Sequence, residues 1–224
     1  MKQIGKIRER MVASPLHLKT YLNSVFDPVT DETIDVTFHS FFWLIYAGID
    51  EKDVMDITKD QIDFENMEIH HKTVNYPIYI EAVPALKKAI SLTKFRYKHP
   101  MYDEKIVIFK DRLPGDKILR GITGDKDIFA MKNHIAHKTA NAIKAGKSEL
   151  RLSTNRAELS GIFHRLYDRE RAGLPISFTE YAIRRVATNT PDVFKNKEEA
   201  NRRIRKAERD YLNDYTRWKL AFSS

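Results

Sequence analysis

The sequence has no cysteine, which removes disulfides and thiolate metal sites. It has no run of eighteen apolar residues, so no membrane span and no membrane partner are expected. The opening Met1-Lys-Gln-Ile-Gly-Lys-Ile-Arg-Glu-Arg10 is basic but has no apolar stretch behind it, unlike a secretory signal. There is no Walker A loop, no Gly-x-Gly-x-x-Gly and no His-Glu-x-x-His, and no cofactor is expected. Internal repeats and low-complexity segments are also missing. These absences fit a reducing, cytoplasmic setting.

One further scarcity is local. Residues 27–68 hold only two basic side chains against 12 acidic ones. Residues 69–224 reverse the balance, with 32 bases and 18 acids, and the whole chain carries +8. A basic surface attracts polyanions because neutralised phosphates release counterions. The alternative is a solvated basic surface with no partner. The segregation predicts two electrical faces, with the acidic stretch turned to solvent or to a partner away from any phosphates.

What is present is enough for one large domain or two small ones: 224 residues, 42% hydrophobic and 31% charged. Ser14-Pro15 marks a helix start, and Leu18, Tyr21, Leu22, Val25 and Phe26 follow at helical spacing. A second helix is predicted over 33–47, apolar on most sides and therefore central, with a short helix at 51–57. Met67 to His71 and Tyr76 to Ile80 read as a hairpin across Lys72-Thr-Val-Asn75, with Pro77 on an edge strand. Further helices are predicted at 81–92, 126–145, 155–172, 178–188 and 195–222, and loops with short elements over 94–125. Thr139 is the one polar residue on the apolar stripe of its helix. The class is mainly α with a small antiparallel β element, and the sheet around 67–80 is expected to be the only one.

His70 and His71 are adjacent in a strand and point to opposite faces, which argues against a shared metal. His134 and His137 are helical neighbours but lack a third ligand, so no metal site is expected. His164 borders an apolar stripe and reads as structural.

Ala47-Gly-Ile-Asp-Glu-Lys-Asp-Val-Met-Asp-Ile-Thr-Lys-Asp-Gln-Ile-Asp63, followed at once by the hairpin, resembles the first signature box of the tyrosine recombinases, or phage integrases. The resemblance covers residues 15–92. It implies that fold's catalytic domain over 14–224, with the closing helix 195–222. Residues 1–13 become a linker or the end of a preceding segment, since the family carries a small helical DNA-binding domain ahead of this one. The resemblance also places a general-acid lysine at Lys72 and a phosphate-clamping arginine at position 50, where this chain has Asp50. A carboxylate there reverses the charge that the chemistry needs. Read from the residues alone, Asp50 caps the 51–57 helix, with Asp53 in its first turn. The second box has three placements: Ser153-Thr-Asn-Arg156, Tyr181-Ala-Ile-Arg184, or one anchored on Gly173. The nucleophile position falls on Tyr215, or Tyr211, both on an apolar helical stripe. Catalysis is therefore expected to be lost.

Tyr46-Ala-Gly-Ile-Asp50, Phe95-Arg-Tyr-Lys-His-Pro100, Pro114-Gly-Asp with Arg120-Gly121, Ser160-Gly-Ile-Phe163 and Asp214 to Phe222 are similar to prophage proteins of the MrpR-type lytic-cycle repressor family. That resemblance implies a repressor that controls lysogeny by binding double-stranded DNA without cutting it. The basic portion of the chain supplies the candidate contacts: Lys72 at the hairpin, Lys94, Arg96 and Lys98 on the basic loop, Arg120, and Lys132 and Lys138 on the following helix, with Arg156 from one placement of the second box. Two alternatives remain at this point: an active site-specific recombinase, and a protein-interaction module that self-associates through the closing helix.

Overall fold

Burial sets the order of the elements. The computed structural model describes residues 2–98, 107–121 and 128–222, with side chains over 5–96, 108–121 and 131–222. The chain divides into two compact units, Glu9–Ile162 and Met1–Arg8 with Phe163–Ser224. The sequence suggested a linker and one domain. Residues Lys2–Arg8 form the helix α1, which groups with the second unit.

In the first unit, α2 (Pro15–Val25) starts where the Ser14 hydroxyl accepts the His17 N–H at 3.2 Å and Pro15 presets the first helical φ. All 13 residues of α3 (Asp35–Ala47) are buried, as expected of an all-round apolar helix. Gly48 ends it at φ 106°, a left-handed conformation that opposes a side chain. Phe26 packs at 5.5 Å from Phe38 and 6.0 Å from Phe42, and Tyr21 lies edge-on to Phe42. Each such buried ring contributes about 1.5–3 kcal/mol relative to exposure. Thr139, the polar residue on an apolar stripe, bonds the buried Tyr21 hydroxyl at 3.0 Å.

The helix expected at 51–57 is reduced to turns and a single 3-10 segment, Val54–Asp56. The strands β1 (Ile62–Asp63), β2 (Glu68–His71) and β3 (Val74–Pro77) then form an antiparallel sheet in the order β1-β2-β3. Pro77 lies on an edge strand, where its missing N–H breaks no ladder. His71 pairs with Val74, so the hairpin turn is Lys72-Thr73 rather than the longer link predicted.

After α4 (Val83–Ser91) comes a second antiparallel sheet, β4 (Lys94–Lys98) with β5 (Val107–Asp111), where loops with short elements and no second sheet were expected. Its signal was the alternation Lys94-Phe95-Arg96-Tyr97-Lys98, with Phe95 buried. The basic composition disguised it. Helix α5 (Ile128–Lys144) leads to α6 (Thr154–Arg171). Gly161 of α6 lies against the α3 backbone: a Cβ there would sit 1.9 Å from the Tyr46 carbonyl oxygen.

In the second unit, α7 (Thr179–Asn189) and α8 (Lys197–Phe222) pack together, and α1 also lies on α8. One face of α8 buries Ala200, Ala207, Tyr211, Tyr215, Trp218 and Ala221. Arg8 Nε donates to the Ala221 carbonyl at 2.8 Å, satisfying an end of the helix. The architecture is mainly helical with small antiparallel sheets, and no described helix is long and apolar enough to cross a membrane.

Candidate nucleic-acid interface

The turn after α3 and the tip of the β2–β3 hairpin bring the two charged positions of the first box into one cluster. Gly48 closes α3, and the Asp50 carbonyl accepts the N–H of Asp53 at 2.8 Å and of Val54 at 3.1 Å. Asp50 thus begins a turn rather than capping an α-helix. Lys72, at φ 56° on the hairpin tip, donates to Asp53 at 2.7 Å. His71 Nε2 lies 3.8 Å from the same carboxylate oxygen. The bond from Asp53 holds the Lys72 ammonium above the usual lysine range, and the Asp50 charge acts in the same direction. A lysine held in this way gives up its proton less readily than a free one.

Four of the other cations named from the sequence also meet carboxylates. Lys132 pairs with Glu51 at 2.7 Å, Lys138 with Asp35 at 2.6 Å, Arg96 with Asp31 at 2.7 Å and Lys94 with Asp111 at 3.8 Å. The expected separation into an acidic face and a basic face is therefore corrected. The acidic 27–68 stretch folds onto the basic residues that follow it. Asp35 makes the point most clearly, being 1% exposed and accepting the Asp27 N–H at 2.8 Å as well as Lys138. Lys138 neutralises a buried charge, a structural duty that its sequence position did not reveal.

Arg120 is half-buried and bonds the Gly115 carbonyl. Arg156 sits in the first turn of α6, with its N–H on the Ser153 hydroxyl at 3.3 Å and no ion pair among the described residues. The Lys98 side chain lies outside the described residues. Among the described residues no cluster of His, Asp or Glu is arranged to hold a metal.

Sequence reasoning missed three further features. A groove of about 690 Å³ runs between α5 and the 151–155 segment, floored by Ile135, Ile143 and Leu152 and rimmed by Lys132, Lys144 and Arg151. Arg112, 6% exposed, donates to the carbonyls of Ala89, Leu92, Ile118 and Arg120, and burial lowers its pKa to about 10. It pins the end of α4 to the following loop. The third is Glu170 in the second unit. Its carboxylate accepts the Tyr215 hydroxyl at 2.7 Å and the Lys219 ammonium at 2.8 Å. Nothing local in the sequence marks such a partner 45 residues away.

Tyr215 is buried among Phe163, Phe178 and Trp218, with ring centres 5.7, 5.7 and 6.3 Å away. Burial, then the bond to Glu170, raises the phenol above its ordinary pKa. An attacking phenol needs the opposite, cations that stabilise the phenolate. Compared with protein-family models and with curated protein sequences, the chain matches none.

Proposed function

We propose that this chain is a DNA-binding regulator on a tyrosine-recombinase-like scaffold that does not cut DNA, and that it serves as a prophage repressor of lytic functions. The observation that carries this reading is the Asp50–Asp53–Lys72 cluster. At the two positions where the resemblance asks for a phosphate clamp and a proton donor, this chain has a carboxylate and a lysine tied to a second carboxylate. The buried, carboxylate-bonded Tyr215 supports the same conclusion. Binding is supported by the +8 charge and by the groove rimmed by Lys144 and Arg151, beside the Glu51-paired Lys132, which suits phosphates running past an apolar floor. The repressor role rests on the MrpR-type resemblance.

The test combines fluorescence anisotropy on short duplexes with denaturing gels of nicked substrates. Binding is expected at low salt and should weaken steeply as salt rises, with no covalent adduct. Tyr215→Phe should bind as the parent does. A covalent adduct abolished by Tyr215→Phe would establish a live recombinase instead. Absence of duplex binding at low salt would favour a protein-interaction module.

A further inference from the structure

A hollow of about 620 Å³ in the second unit is walled by Arg185 of α7 and by Arg202, Arg203, Lys206 and Arg209 of α8. Four carboxylates stand near these five cations, Glu198 and Glu208 on the adjoining face with Arg202 and Arg209. Glu199 accepts from Arg202 at 2.8 and 2.9 Å and from Arg203 at 2.6 Å, and Asp210 stands on the wall. Neither Lys206 nor Arg209 is in an ion pair among the described residues. Arg202, Lys206 and Arg209 recur at four- and three-residue spacing, where like charges on a helix repel. Helix formation alone gives no reason to gather them. The buried face of α8 behind them, with Ala207 and Tyr211, holds them in place. Arg185 lies over the Tyr211 ring at 5.5 Å, which fixes its planar group at the side of the hollow.

We infer that this hollow grips the phosphate backbone of duplex DNA, an inference that rests on the DNA-binding reading above and locates a contact surface for it. Charge density selects the occupant. Arg202 to Arg209 spans ~10 Å of helix axis at 1.5 Å per residue. One strand of duplex DNA presents a phosphate every ~3.4 Å, so about three phosphates face that length. An extended acidic peptide turns alternate side chains away, so its charges face the hollow only every ~6.6 Å, about half the density. Arg185 and Arg209 add planar donor forks that match phosphate oxygens in pairs, while Glu199 already engages those of Arg202 and Arg203.

The test uses the full chain and a generic short duplex, with affinity followed by anisotropy across a salt series. The triple variant R202Q/K206Q/R209Q is compared with K195Q/K197Q/R217Q, which removes the same charge from the same unit outside the hollow. The hollow variant should lower the salt slope by up to about three, near one for each phosphate no longer neutralised, and the control far less. Amine acylation of the parent protein gives a readout that needs no variant: duplex should protect Lys206 more than Lys197. Equal losses in both variants, or no protection of Lys206 while duplex is bound, would overturn the inference and leave the DNA-binding reading standing. Failure of the parent to bind duplex at low salt overturns both. A glutamate-rich peptide that competes at the hollow while duplex binding ignores the triple variant would make the partner an acidic protein segment.

Discussion

Several single side chains carry more than their neighbours because burial leaves their partners no substitute. Asp35 is almost fully enclosed, so Lys138→Ala strands a carboxylate with only the Asp27 N–H. Breaking a fully buried pair costs about 3–5 kcal/mol. Because the Lys138 side chain is 37% exposed, about 2 kcal/mol is the expected loss. Thermal melting should fall by roughly 4–8 °C, and adding Asp35→Asn should recover part of it. Gly161→Ala is more severe, because the new methyl meets the Tyr46 backbone rather than a movable side chain. A loss of about 3 kcal/mol or more is expected. An unchanged melting temperature would show that α3 and α6 do not cross as closely as described. His39 supplies a pH dependence. It is buried, and burial lowers its pKa, so the folded state holds it neutral while the unfolded chain protonates near 6.5. Its contribution is present above that value and is lost as pH falls below it. Stability curves between pH 7 and 5 should decline, and His39→Gln should flatten the decline.

At the scale of elements, α8 is the clearest case of a helix that exists through packing. Over Lys197–Phe222 its outer face is densely charged, while Tyr211, Tyr215 and Trp218 are buried inside the second unit. Truncation after Ala207 removes all three aromatics. At about 3–5 kcal/mol for each large aromatic removed, the unit should not survive as a cooperative fold. A separate early melting step would report this; an unaltered melt would contradict the packing. The helices could be read in advance because their apolar spacing is local, and their boundaries fall within a few residues of those expected. The β4–β5 sheet could not. Its alternation was short and basic, and strand pairing is decided by a partner at a distance in sequence. The helix expected at 51–57 did not form. There the chain makes turns and only the 3-10 segment Val54–Asp56, and the Asp53 side chain pairs with Lys72 from the hairpin.

For the molecule as a whole, the sequence determined the mainly helical class, the hydrophobic face of each long helix and the net positive charge, since all three follow from composition and local period. The distribution of charge was decided only by the tertiary structure. Read along the chain, acids and bases occupy separate stretches. Folded, Asp31, Asp35, Glu51 and Asp53 each meet a cation from a later segment. Glu170 likewise meets Tyr215 and Lys219 across α6 and α8. Electrostatic pairing depends on distance in space and falls off within a few ångströms of contact under screening. Which cations are already neutralised, and which stand together in the α7–α8 hollow, therefore follows from how the helices pack and not from their order in the sequence.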